Sequence, residues 1–153
     1  MDFDTTKAVY PTDPDQCHVS HVVADTGSWE QKMAQALEEM PEVARYVKNQ
    51  SVGFTIPYTL NGEEKQYYPD FIAQTRIGSS GVRLQPDVLN VIVEVSGEAR
   101  KDKAAKLTTA RTLWVPAVNN HGGFGRWAFV EVTDPWDAQR TIRAALSKAM
   151  QEV

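Results

Sequence analysis

The segment from residue 89 to residue 95 constrains the fold more than any other part of the chain. Its sequence, Leu-Asn-Val-Ile-Val-Glu-Val, is typical of a β-strand. Successive side chains of a strand point to opposite faces, so Val91, Val93 and Val95 share one face. Ile92 makes the other face apolar as well. A strand that is apolar on both faces predicts the centre of a sheet covered by helices on each side.

Patterns on either side of this strand predict the element order α-β-β-β-α-β-α. Helices are predicted from Ser28, a good N-cap, to about residue 49 with an interruption at Pro41, and at residues 98–113 and 137–151. Further strands are predicted at 54–60, 65–75 and 127–132, and the first two are joined by the hairpin signal Asn61-Gly62. Residues 119–123 are predicted to form a loop.

We therefore expect an α/β fold in which a mixed four-stranded sheet is flanked by helices. Residues 1–27 contain prolines and little periodicity, which predicts a lead-in or linker. The α/β domain is then expected to span residues 28–153.

Composition excludes several classes of protein. The chain has 153 residues, 42% of them hydrophobic, which suits one compact domain. A net charge of −4 argues against a protein that coats DNA through bulk positive charge, and a single cysteine, Cys17, argues against a disulfide scaffold. Neither a secretory signal nor an apolar run of about 18 residues is present, so we expect a cytoplasmic protein with no membrane partner.

Two carboxylates stand where the pattern predicts buried strands. Glu94 interrupts the central strand, and Asp70 follows Pro69, which removes a ladder hydrogen bond and predicts a bend. An unpaired buried carboxylate is costly, so both side chains need partners. They can converge on one hard cation such as Mg²⁺, which prefers oxygen ligands. Alternatively, Asp70 caps the bend and Glu94 pairs with a helix lysine or arginine; spacing alone leaves both alternatives open.

Six segments, in order, resemble the C-terminal endonuclease region of type III restriction enzyme Res (helicase–nuclease) subunits, in the PD-(D/E)xK nuclease superfamily. The resemblance covers roughly residues 17–138. The segments are Ala36-Leu37-Glu38, Tyr46-Val47-Lys48-Asn49, Tyr68-Pro69-Asp70-Phe71-Ile72, Val93-Glu94-Val95-Ser96-Gly97, Trp114-Val115-Pro116-Ala117-Val118-Asn119 and Gly125-Arg126-Trp127-Ala128-Phe129. It implies a restriction-endonuclease-like fold with an α-β-β-β-α-β core. The implied activity is that of a type III site-specific deoxyribonuclease, in which metal-activated water hydrolyses a DNA phosphodiester bond.

The same resemblance implies a set of metal ligands. Asp70 and Glu94 match the metal-binding carboxylates, and the backbone carbonyl of Val95 would be a third ligand. The metal would be Mg²⁺, with Mn²⁺ as a substitute. Glu30 occupies the place where many of these nucleases carry a further acidic ligand. Alternatively, Glu30 only complements the positive end of the helix dipole.

The chain departs from the superfamily at Ser96, where a lysine usually stabilises the transition state. Four basic residues follow closely: Arg100, Lys101, Lys103 and Lys106. On a helix, Lys103 and Lys106 share the face that meets the sheet, so we predict that Lys103, or failing that Lys106, supplies the missing charge. Alternatively, the cluster is a solvated face or binds phosphate. The candidate DNA contacts are Arg100 and Lys101 in this cluster and Arg126 outside it.

The resemblance also implies partners. These are double-stranded DNA, a helicase-like motor in the same parent chain and a methyltransferase subunit that reads the DNA sequence. ATP would be needed only by the motor, since these residues contain no Walker A motif. The alternative function is a catalytically degenerate nuclease-fold module for DNA binding or subunit docking.

Overall fold

The computed structural model describes residues 4–17, 19–23, 28–78, 87–96 and 102–152. The strands of the described residues are β1 (Val9–Pro11), β2 (His21–Val23), β3 (Val43–Lys48), β4 (Ile56–Leu60), β5 (Glu63–Tyr67), β6 (Phe71–Ile77), β7 (Asp87–Val95) and β8 (Arg126–Val132). The α-helices are α1 (Ser28–Glu39), α2 (Lys103–Thr109), α3 (Val115–His121) and α4 (Ala138–Gln151). A π-helical turn, Ala110–Trp114, joins α2 to α3, and a 3₁₀ turn, Pro135–Asp137, precedes α4.

A four-stranded mixed sheet with the strand order β3-β6-β7-β8 forms the centre of the molecule. Strand β6 is antiparallel to both β3 and β7, whereas β8 is parallel to β7. Helix α1 precedes this sheet in the chain, the α2–α3 segment precedes β8, and α4 follows it. The predicted α/β fold with a mixed four-stranded sheet and helices is therefore confirmed.

Strand β7 is an inner strand that is covered on both faces, as its sequence predicts. Val91 and Val93 are fully buried in a core shared with α1 and α4. Ile92 is fully buried on the opposite face, where it packs in a smaller core with side chains such as Tyr67 and Ala110. Burial of these side chains, worth about 1.5–3 kcal/mol for each large apolar one, holds the two layers on the sheet.

The first strand of the sheet is not the predicted one. Helix α1 ends at Glu39, before Pro41, and the chain continues as β3, so the prediction that the helix extends to about Asn49 is wrong. Val43 and Tyr46 are buried, but in a strand that is hydrogen-bonded to β6. A short segment of this composition satisfies both the helical and the strand pattern, and pairing with β6 decides between them.

The predicted hairpin exists, but it forms a separate two-stranded sheet of β4 and β5. The strand predicted at 65–75 is divided into β5 and β6 at Pro69, where the bend was expected. The hairpin is therefore inserted between the first and second strands of the main sheet. At its tip, Asn61 and Gly62 both have positive φ, of 52° and 78°, which a two-residue turn of this kind requires.

The second predicted helix extends further than its sequence suggests. It runs through the π-helical turn to His121, so the loop predicted at 119–123 begins only at Gly122. Pro116 lies directly after the π-helical turn, at the point where the wider helix changes back to an α-helix. Residues 97–101 of the predicted helix lie outside the described residues.

The described part of the lead-in packs against the main core. Strands β1 and β2 pair with each other, and Cys17 and Val22 are buried among core residues. The Glu38 carboxylate fastens this region to α1, since it accepts hydrogen bonds from the Tyr10 hydroxyl and the Asp13 amide at 2.9 and 2.7 Å. The helices described here include none with the length and apolar character needed to cross a bilayer.

Candidate functional site

The structure brings Asp70 and Glu94 together at one end of the main sheet. Asp70 immediately precedes β6, and because Phe71 pairs with Val93, the antiparallel register sets Asp70 opposite Glu94. The amide of Val95 donates a hydrogen bond of 2.8 Å to Oδ2 of Asp70. The Asp70 charge acts on Glu94 and raises the pKa of its carboxyl group.

The two carboxyl groups are both harder to ionise than free carboxyl groups. Desolvation raises the pKa of Asp70 from 3.8 to about 6. Desolvation, together with the neighbouring Asp70 carboxylate, raises the pKa of Glu94 from 4.5 to about 8. Neither carboxylate forms a salt bridge with another described residue. At neutral pH such a pair retains a proton or binds a cation.

Tyr67, at the end of β5, orients Glu94. Its hydroxyl donates a hydrogen bond of 2.6 Å to Oε2 of Glu94, and the side chain is only 2% exposed. Tyr67 was not among the site residues predicted from the sequence. Its position three residues before Asp70, across the bend at Pro69, is the signal that could have indicated the contact.

Lys106 lies beside this tyrosine. Its Nζ is 5.9 Å from the centre of the Tyr67 ring and 6.0 Å from that of Tyr58, distances at which a cation is attracted to an aromatic face. Nζ also forms an ion pair of 3.1 Å with Asp102. The positive charge of Lys106 lowers the pKa of Glu94, so Lys106 acts electrostatically on one member of the carboxyl pair.

Lys103 is held by a different carboxylate. Its Nζ lies 2.9 Å from Oε1 of Glu131, and the Ser96 hydroxyl donates to the same oxygen at 2.5 Å. Arg111 approaches the other oxygen of Glu131 at 3.3 Å. Of the two predicted lysines, Lys106 is therefore the one whose charge acts on Glu94.

Sequence reasoning missed Glu131. It is paired in register with Glu94, on the neighbouring parallel strand, so the two side chains share one face of the sheet. The repeated pattern Val-Glu-Val, at 93–95 and 130–132, is the signal that could have indicated it.

The Glu30 carboxylate is bound to a lysine. Its Oε2 is 2.7 Å from Nζ of Lys48, and the two side chains are 13% and 12% exposed. The Glu30 carboxylate raises and the Lys48 ammonium lowers the pKa of Asp70, so both charges act on the site. Lys48 was not predicted as a site residue.

Arg126, the candidate DNA contact among the described residues, is not brought to the carboxylates. The Arg126 guanidinium donates to the carbonyl of Ala149 in α4 at 2.8 Å. Arg126 is in register with Leu89, near the start of β7, whereas Glu94 lies near its end. Arg100 and Lys101 lie outside the described residues.

The residues at this end of the sheet are suited to a hard divalent ion. Asp70 and Glu94 contribute carboxylate oxygens. The amide and the carbonyl of Val95 point to the same side of β7, and the amide faces Asp70. The described residues contain no group of three His, Cys, Asp or Glu side chains that could hold a metal. An ion held by Asp70 and Glu94 would complete its shell with water or substrate oxygens, which is common for Mg²⁺.

This chain matches no protein-family model, no curated protein and no solved structure in the three comparisons made.

Proposed function

We propose that this chain is a Mg²⁺-dependent DNA endonuclease domain of the kind found in the Res subunits of type III restriction enzymes. The observation that supports this proposal best is the pair formed by Asp70 and Glu94. The register sets the two carboxyl groups opposite each other, their pKa values are raised, and no described basic residue forms an ion pair with them. The restriction-endonuclease-like fold, with its α-β-β-β-α-β core, is part of the same proposal.

In this proposal, Asp70, Glu94 and the carbonyl of Val95 hold the metal. A bound Mg²⁺ supplies activation of a water molecule and neutralises charge on the scissile phosphodiester. Tyr67 fixes the orientation of the Glu94 carboxylate through its hydrogen bond. Fixed ligand orientation matters because small misplacements of catalytic groups reduce rates strongly.

Lys106 supplies the positive charge that the superfamily lysine would provide at position 96. Its ammonium is positioned by Asp102 and by the Tyr58 and Tyr67 rings, and its charge reaches Glu94. A fixed cation close to the reacting phosphate stabilises the negative charge that develops in the transition state. Lys103 contributes indirectly, by neutralising Glu131 on the same face.

One observation favours a second candidate function, a degenerate nuclease fold that binds DNA or docks a subunit. Ser96 carries no charge, and its hydroxyl is directed to Glu131. A protein that had lost catalysis would retain the sheet and would have no need to bind a metal. Metal binding therefore separates the two candidates.

The proposal is tested by titrating the chain with Mn²⁺ in a calorimeter and comparing it with the Asp70→Asn and Glu94→Gln variants. We expect the wild-type chain to bind one ion and both variants to lose binding by at least about tenfold, since each loses a charged ligand. Glu42→Gln is the matched control, because Glu42 pairs with Arg143, away from Asp70 and Glu94. Absence of binding by the wild-type chain would overturn the proposal.

DNA cleavage is the second measurement. Asp70→Ala and Glu94→Ala should abolish cutting by the intact restriction complex while DNA binding and ATP hydrolysis continue. Double-stranded DNA, the motor and the methyltransferase subunit are partners only under this proposal. A complex that still cuts DNA after either substitution would exclude the assigned site.

A further inference from the structure

The ion pair between Lys48 and Glu30 is unusually well shielded from solvent. Both side chains are nearly nine-tenths buried, and Nζ of Lys48 also donates to the backbone carbonyl of Val23. Lys48 thus joins α1, β2 and β3 at one point. Such a pair can have a purely structural role. Its location relative to Asp70 indicates whether it also has an electrostatic one.

This pair borders the candidate metal site at Asp70. Lys48 is paired in register with Phe71, the residue that follows Asp70. The amide of the next residue, Asn49, donates a hydrogen bond of 2.8 Å to the carbonyl of Asp70. The backbone of Lys48 therefore lies beside the segment that carries Asp70, and the register sets the Lys48 side chain on the face that Phe71 shares.

The charges of this pair act on Asp70. The Glu30 carboxylate raises the pKa of Asp70, and the Lys48 ammonium lowers it. A carboxylate site binds a divalent ion more tightly as the negative charge around it increases. An ammonium group has no lone pair for a metal and repels it, so Lys48 removes one unit of that charge without adding a ligand.

We infer that Lys48 is a positioning residue that limits the negative charge of the Asp70–Glu94 site and so sets how tightly that site holds its divalent ion. This inference rests on the proposed function, because it requires the metal site. It assigns a role to Lys48, which was not among the site residues predicted from the sequence. It also assigns the Glu30 carboxylate to charge balance beside the metal, held by Lys48, rather than to direct ligation.

The test is Mn²⁺ titration of the full chain and three variants. Lys48→Met should bind Mn²⁺ about tenfold more tightly, because one positive charge is removed several ångströms from a divalent ion at a protein site. Glu30→Gln should bind more weakly by a similar factor, for the opposite reason. Lys48→Arg retains the charge and should return the affinity to within about threefold of the wild type.

The opposite signs distinguish this role from a structural one. If the ion pair only holds α1 and β3 together, Lys48→Met and Glu30→Gln should both weaken binding. Wild-type or weaker affinity in folded Lys48→Met, with wild-type binding intact, would overturn the inference alone. Should Lys48→Met fail to fold, unchanged affinity in Glu30→Gln would overturn it instead. Absence of Mn²⁺ binding by the wild type would overturn both the proposed function and this inference.

Discussion

The Tyr67 hydroxyl donates a hydrogen bond of 2.6 Å to Oε2 of Glu94, although Tyr67 lies on the separate hairpin and Glu94 on the main sheet. The orientation of Glu94 therefore depends on contact between two sheets. Among the described residues, the strands of the hairpin pair only with each other and not with the main sheet. The small core around Ile92 and Ile56 holds these sheets in contact.

Replacing Tyr67 with phenylalanine tests this contact. Tyr67→Phe retains the ring and loses only the donor, so we expect folding to persist and Mn²⁺ affinity at pH 7 to fall about tenfold, in line with the ≈1.5 kcal/mol or more of a hydrogen bond to a charged group. The same hydrogen bond lowers the pKa of Glu94, so the loss should shrink at pH 9. Calorimetric titration at the two pH values measures both effects.

Tyr58→Phe is the matched control. Its hydroxyl donates to Asp102 rather than to Glu94, and the residue lies on the paired strand of the same hairpin. This variant should bind Mn²⁺ as the wild type does. Equal losses in the two variants would show that the hairpin, rather than the Tyr67 hydroxyl, matters.

The raised pKa values predict how stability depends on pH in the absence of metal. The folded chain binds protons at Asp70 and Glu94 more tightly than the unfolded chain, in which the pKa values return to 3.8 and 4.5. Protonation therefore stabilises the fold below about pH 4. This stabilisation is lost as the pH rises through about 6 and 8.

Chelator-treated protein should accordingly show a free energy of unfolding that falls between pH 4 and pH 8. The contribution of the pair should be several kcal/mol, since each pKa unit corresponds to about 1.4 kcal/mol. Urea unfolding across this range measures it. The double variant Asp70→Asn with Glu94→Gln should lose that contribution, and an unchanged pH profile in this variant would contradict the assignment. Added Mn²⁺ should restore stability most at pH 8, where the ligands are deprotonated.

Lys106 is expected to carry the positive charge needed for cleavage. Lys106→Ala should lower the single-turnover rate of DNA cleavage by about 10²–10³, the size typical of one lost electrostatic group. Lys103→Ala should have a smaller effect, because Lys103 acts on Glu131. Normal cleavage by both variants would exclude a relocated lysine.

A substitution at position 96 provides the complementary measurement. Ser96 lies on the same face of β7 as Glu94, two residues further along the strand. Ser96→Lys should therefore recover part of the activity lost in Lys106→Ala. Recovery to within about tenfold of the wild type is expected if charge alone is missing.

Substitution of Glu38, away from the site, should lower the free energy of unfolding. In addition to the Tyr10 and Asp13 contacts, its carboxylate accepts a hydrogen bond of 2.7 Å from Tyr46. Glu38→Ala leaves these donors without a partner and should lower the free energy of unfolding by about 2–4 kcal/mol. Glu39→Ala, at an exposed neighbour, should cost less than about 0.5 kcal/mol; urea denaturation compares them.

The sequence predicts the inner strand well because only one arrangement accounts for the apolar pattern of this segment. Val91 and Ile92 are both apolar and point to opposite faces, and only a strand covered on two sides accommodates that arrangement. The same reasoning drew attention to Glu94 and Asp70, since a charge in such a setting needs a partner. The structure places these two carboxylates in contact, and their roles remain proposals.

Other features depend on contacts between distant residues and leave little local pattern. Strand β3 is defined by pairing with β6, so the short segment from Val43 looks equally suited to a helix. Lys48 meets Glu30 across 18 positions, and Ser96 meets Glu131 across 35. Helix and strand periodicity extends over only a few residues, so neither pairing is visible in it.

The insertion of the β4–β5 hairpin has a consequence for how the chain tolerates change. The main sheet contributes both carboxylates, whereas the hairpin contributes the hydroxyl that holds one of them. The turn at Asn61 and Gly62 lies at the far end of the hairpin from Tyr67, which pairs with Ile56 at the base. Lengthening this turn would leave both layers intact, so it is the natural place to attach a fluorescent reporter or a tether without disturbing the carboxylates.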